Sequence, residues 1–134
     1  MPQFGRRSKE QLSSCHADLQ KLFNEVIKHY DCTILEGHRS NEDQLKAFNA
    51  DKSKIKSGGK HNHLPSLAAD VVPWPIDWGD KNRFYHFVGY VKATADQINI
   101  KIRCGADWDN DNDLNDQTFF DLAHFELITD EHDQ

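Results

Sequence analysis

The stretch HNHLPSLAADVVP occupies residues 61–73. Its second half, AADVVP (Ala68–Pro73), is apolar and partly β-branched, which predicts a buried strand that Pro73 and Pro75 bring to an end. Its first half holds two histidines two residues apart and a proline, which predicts a loop. Asp70 interrupts the apolar run seven residues after His63. That spacing lets a loop histidine and a carboxylate on the following strand converge on one ion. A histidine-rich polar loop beside a capping aspartate fits the same letters, so the choice rests on what the rest of the chain supplies.

Working outward, Ser8 to Tyr30 predicts one helix, with Leu12, Leu19, Leu22, Phe23, Val26 and Ile27 at helical spacing and a Ser8/Gln11 capping box. CTILEGHR (Cys32–Arg39) predicts a short strand, and Ser40 caps a second helix reaching about Asn49. DKSKIKSGGK (residues 51–60) predicts a solvated loop whose four lysines could instead form a basic lip for an anionic polymer. Asp80 predicts the cap of a third helix, with Phe84, Phe87, Val88 and Val91 as its core stripe. INIKIRCGADW (Ile98–Trp108) and FFDLAHFELI (Phe119–Ile128) predict the remaining strands. Helices and strands mix without a βαβ repeat, so the expected class is α+β with a mostly antiparallel sheet and packed helices.

The 134 residues are enough for one domain, and 37% of them are hydrophobic, which allows a modest core. A formal charge of -6 argues against wrapping nucleic acid. No run approaches the roughly 20 apolar residues of a membrane span, and the N-terminus lacks the apolar core of a signal peptide. Cys15, Cys32 and Cys104 are three and dispersed, the pattern of reduced core thiols in a protein made in the cytosol. A bound metal would therefore use histidine and carboxylate.

A catalytic zinc usually keeps three protein ligands and an open position. His63 and Asp70 offer two. His124, in the last predicted strand, offers a third, and Asp121 stands three residues before it. The motif His63-x6-Asp70, with Ser66 and Ala68 between, followed by Asp121-x2-His124, resembles the zinc peptidases of the VanX/VanY type. FGRRSKEQL near the start, EGHRSNEDQ (Glu36–Gln44) and KIRCGADW (Lys101–Trp108) resemble segments of the phage endolysins of that family, in the same order, so the resemblance spans Phe4 to Ile128.

The resemblance implies a fold like that of the D-alanyl-D-alanine peptidases and hedgehog-like domains, with residues 1–134 forming a single zinc peptidase catalytic domain. It implies that His63, Asp70 and His124 hold Zn2+, that Asp121 is the general base and that Arg39 steadies the oxyanion. It implies hydrolysis of the L-alanyl-D-glutamate bond of bacterial peptidoglycan stem peptides by a monomeric phage endolysin. Such a protein is made in the host cytoplasm and reaches the wall after holin-dependent release, with no nucleic-acid partner and no membrane insertion. Aspartate at position 121 resembles the endopeptidase branch, where the carboxypeptidases usually have glutamate.

Some alternatives stay open. The family often has serine where this chain has His61, which makes His61 a rival ligand. Residues three apart on a regular strand face opposite sides, so either Asp121 lies in a turn or bulge before the strand or Glu126, two residues from His124, is the base. Asp107, Asp109 and Asp111 alternate like the first ligands of an EF-hand loop, but Thr118 stands where that loop has its bidentate glutamate. A Ca2+ site and a solvated acidic turn both fit. Trp74, Trp78 and Trp108 are candidates for a cleft wall, with at least two of them expected in the core. A D-alanyl-D-alanine carboxypeptidase and a non-catalytic, zinc-stabilised wall-binding module are the rival functions.

Overall fold

The computed structural model describes residues 2–38, 64–105 and 122–128. Along these, α1 (Arg6–Ser13) and α2 (Ala17–Val26) lead into β1 (Cys32–Glu36). After residue 64 come β2 (Ala68–Pro73), α3 (Lys81–Gln97), β3 (Ile102–Cys104) and β4 (His124–Leu127). The four strands form one antiparallel sheet in the order β1-β2-β4-β3. This is the expected α+β class, and AADVVP is an inner strand of the described sheet. The second predicted helix, Ser40 to Asn49, and the lysine loop lie outside the described residues.

The single helix expected over residues 8–30 is two helices. Ser14 and Cys15 leave the helical path because their backbone bonds elsewhere: Ser66 N–H donates to Ser14 O and His16 N–H to Ser66 O, both at 2.8 Å. The His16 side chain then caps α2 by accepting from Asp18 N–H at 3.0 Å. Ser8 and Gln11 are not a capping box. α1 starts earlier, with Gly5 as its N-cap. Ser8 Oγ accepts from Ile34 N–H at 3.1 Å and Gln11 Oε1 from Gly37 N–H at 3.1 Å, so both side chains tie α1 to β1 and the turn after it.

The strand expected from Ile98 begins at Ile102 instead, because α3 carries on to Gln97 and closes with a left-handed Asn99 (φ 61°). Asn99 N–H donates to Asp96 O and Ile100 N–H to Ala95 O, the paired bonds of a Schellman ending. The α3 start is as expected, with Asp80 accepting from Arg83 N–H. The last strand begins at His124, with Leu122 and Ala123 in a turn before it, and the part of the expected strand at residues 119–121 lies outside the described residues.

Side chains alternate across the sheet. Ala69 and Val71 of β2 and Phe125 and Leu127 of β4 join the main core with Leu19, Leu22, Phe23, Phe87 and Val91 from the helices. Cys15, Cys32 and Cys104 are free thiols in that core, and burial pushes the first two up, to about 11 and about 12. Trp74 and Trp78 depart from expectation: they are 50% and 60% exposed, so at least two core tryptophans is wrong. The loop after β2 holds them out, with Arg83 donating to the carbonyls of Trp74 and Pro75 and Trp78 stacked on Phe84.

Phe125 sits between His124 and Glu126 and packs edge-on against Phe23 and Phe87, with ring centroids at 5.6 and 6.0 Å. It is fully buried. Phe125→Ala is expected to lower the stability of the metal-free protein by about 3–5 kcal/mol, read from denaturant unfolding. A loss below about 1 kcal/mol would mean that this core can collapse around the gap.

Candidate metal centre

The opposite face of the sheet carries the polar residues. Asp70 on β2 and His124 on β4 are directly opposed in the β2–β4 register, and Ala68 opposes Glu126. Arg103 on β3 opposes Glu126 from the other side. The alternation that sends Phe125 into the core therefore sends His124 and Glu126 to the same face as Asp70 and Arg103. The small side chain of Ala68 occupies the position beside Glu126. Ser66, fully buried two residues before β2, donates to Ala68 O at 2.7 Å and accepts from Ala68 N–H at 3.2 Å, which fixes how the strand carrying Asp70 begins.

His124 lies between two acids. Its Nδ1 is 3.4 Å from Asp70 Oδ1, and its Nε2 is 2.8 Å from Glu126 Oε1. The His124 side chain is 10% exposed, Asp70 19% and Glu126 6%. Burial alone would pull the His124 pKa down. The hydrogen bonds and negative charges of Asp70 and Glu126 outweigh it and push the pKa up to about 9. The balance favours the charged imidazole, held between the two carboxylates.

This donor set fits zinc. Zinc takes nitrogen and oxygen ligands at about 2.0–2.2 Å in a tetrahedron, which puts neighbouring donors about 3.3–3.5 Å apart. The Asp70 Oδ1 to His124 Nδ1 separation of 3.4 Å matches the length of such an edge. The other nitrogen of a zinc-bound histidine commonly donates to a carboxylate, the contact that Glu126 makes. Among the described residues, no cluster of three or more His, Cys, Asp or Glu side chains is placed to hold a metal ion. Asp70 and His124 are two of the three expected ligands.

The remaining candidates, His63 and its rival His61, Asp121, Arg39 and the acidic loop of Asp107, Asp109 and Asp111, lie outside the described residues, as does Trp108. The period-two objection to Asp121 does not arise within the described residues, since β4 begins at His124 and a turn precedes it. Sequence reasoning placed Glu126 on the face of His124 but missed Arg103, whose Nη2 donates to Glu126 Oε2 at 2.9 Å. The available signal was the alternation in KIRCG, which puts Arg103 out of phase with the apolar Ile102 and Cys104.

A model of the family described as phage L-alanyl-D-glutamate peptidase matches residues 1–128. The L-alanyl-D-glutamate peptidase of Escherichia phage T5 is 29% identical over 133 residues, covering 93% of this chain and 97% of that protein. The crystal structure of the Serratia marcescens L-Ala D-Glu endopeptidase ChiX aligns with a TM-score of 0.75 at 24% identity, over 94% of this chain and 90% of that one. At that identity the likeness is one of fold, and it agrees with the α+β sheet described above.

Proposed function

The chain belongs to the phage L-alanyl-D-glutamate peptidase family, and on that premise we propose that it is a zinc-dependent endopeptidase. Its substrate is the L-alanyl-D-glutamate bond of peptidoglycan stem peptides, and its role is that of an endolysin opening the host wall. The family and the T5 relative support the bond. The observation that carries the zinc is the pairing of Asp70 with His124 at 3.4 Å on adjacent strands. His63 completes the ligand set, in the place the motif gives it. No helix of the described residues is long and apolar enough to cross a membrane.

When bound, zinc supplies an acidified water and a Lewis acid for the scissile carbonyl. Asp121 accepts the proton of the attacking water and passes it to the leaving amine. In this reading Arg39 stabilises the negative charge that develops on the carbonyl oxygen. Glu126 is buried with one oxygen on His124 and the other on Arg103, which makes it a poor proton carrier and supports the reading of Asp121 as the base. Metal analysis tests this reading. One zinc per chain, with cleavage lost to a chelator and restored by zinc, is expected; undiminished cleavage by the stripped protein would overturn it.

Zinc requires a neutral imidazole, so loading must expel the proton on His124 Nδ1, which faces Asp70, while the Nε2 proton stays with Glu126. Zinc affinity is accordingly expected to rise about tenfold per pH unit between neutrality and the His124 pKa of about 9. The metal-free protein is expected to follow the opposite trend. A histidine pKa raised on folding stabilises fully below its unfolded value of about 6.5, and that stability is lost as pH rises through about 9. Calorimetry in buffers of different ionisation enthalpy measures the released proton. Zinc binding near neutral pH with no proton release would contradict the raised His124 pKa.

A further inference from the structure

Arg103 has no part in the proposed chemistry, yet it ends a chain of contacts that leads to the metal-binding pair. Its Nη2 donates to Glu126 Oε2 at 2.9 Å, Glu126 Oε1 lies 2.8 Å from His124 Nε2, and His124 Nδ1 lies 3.4 Å from Asp70 Oδ1. The strand registers produce this line: Asp70 opposes His124 across β2 and β4, and Arg103 opposes Glu126 across β3 and β4. We propose that Arg103 is a positioning residue that locks Glu126 onto His124 Nε2, and so holds His124 Nδ1 toward Asp70 for the metal. The proposal rests on the zinc reading above.

The physical need is specific. The second side-chain torsion of histidine is broad and roughly two-fold, so rotamer preference alone does not choose between the ring and its flipped form. A flip would turn carbon atoms toward Asp70 and Glu126. The Nε2–H to Glu126 bond selects one form and one tautomer, with the proton on Nε2 and the lone pair on Nδ1. That selection is only as firm as the carboxylate that makes it. Held by one oxygen, Glu126 could swing; held by both, it cannot.

Charge adds to this. A buried carboxylate without a cation is costly, and the Glu126 side chain is 6% exposed. Arg103 supplies that cation from β3, one of the two outer strands of the described sheet, where its side chain is 42% exposed. The pair is thus unlike a solvated surface ion pair, whose worth is small. The bond to Glu126 uses one guanidinium nitrogen, Nη2, so a lysine of sufficient reach could replace it.

The test measures zinc affinity by chelator competition for the unsubstituted protein and for Arg103→Gln, Arg103→Lys and Asp70→Ala. Absorption spectra of the cobalt-substituted forms are recorded alongside. Arg103→Gln is expected to bind zinc about tenfold more weakly, with altered cobalt bands, and Arg103→Lys to recover most of the affinity. Asp70→Ala is expected to lose zinc. If Asp70→Ala loses zinc while Arg103→Gln binds as tightly as the unsubstituted protein, the positioning role is wrong and the zinc reading stands. If Asp70→Ala binds zinc normally, the zinc reading falls and takes this inference with it. Should Arg103→Gln fail to fold, nitrogen-15 NMR of histidine in the unsubstituted zinc form decides. A proton on Nε2 of His124 supports the lock, and a proton on Nδ1 overturns it.

Discussion

Asp121→Ala is expected to lower the rate of stem-peptide cleavage by about 10²–10⁴-fold, the usual contribution of a positioned general base, while leaving zinc bound. The two halves of that expectation have separate causes. Metal retention follows because Asp121 is not among the proposed ligands, and the Asp70–His124 pair is set by the β2–β4 register. Rate loss follows because the attacking water must still lose a proton and the leaving amine must still gain one. Asp121→Asn should resemble the alanine variant, since an amide holds the shape but cannot take the proton. The measurement pairs the turnover rate with the zinc content of the same preparation. An unchanged rate would move the base to Glu126. Loss of zinc together with rate would make Asp121 a ligand.

His124→Ala is expected to lose zinc and cleavage together, and to destabilise the metal-free protein as well. The charged form of His124 lies between the Asp70 and Glu126 carboxylates. Removing it leaves two poorly solvated carboxyl groups facing a cavity. Breaking a buried charge pair from one side costs about 3–5 kcal/mol, and protonation of a carboxyl group would offset part of that. The penalty should therefore shrink at high pH, where the unsubstituted protein has already lost the histidine charge. Denaturant unfolding of both metal-free proteins across pH measures the difference. The neighbouring Phe125→Ala variant is the control, since it lowers stability without touching either donor. A His124→Ala protein that keeps its zinc would remove His124 from the ligand set.

The parts of this fold legible in the sequence were those whose pattern has a local cause. AADVVP reads as a strand because its apolar run stops at prolines, and α3 reads as a helix because Asp80 caps a clear apolar stripe. The break between α1 and α2 was not legible for a geometric reason. Leu12 and Leu19 are seven residues apart, about two helical turns, so the apolar stripe stays in phase across it. The cause of the break is Ser66, some fifty residues away, whose backbone bonds to Ser14 and His16. The alternation of Ile98 and Ile100 looked like strand, while the left-handed Asn99 that closes α3 was the better signal.

The candidate site divides in the same way. Asp70 and His124 were named from a family motif, and the sheet register supplies the physical reason they meet. Glu126 was placed on the right face by its spacing from His124, but its partner was hidden. Arg103 reaches it only because β3 pairs with β4 in one particular register, which no local pattern reveals. Trp74 and Trp78 were misjudged because apolar character predicts burial only on average, and exposed apolar side chains are common on folded proteins.

Mass spectrometry of purified peptidoglycan digested with the zinc-loaded protein, beside a chelated control, tests the central claim most directly. The account predicts new amino termini at D-glutamate that vanish with the chelator. Release of terminal D-alanine would keep the metal site but place the bond elsewhere, and fragments that persist in the chelated control would contradict the zinc mechanism itself.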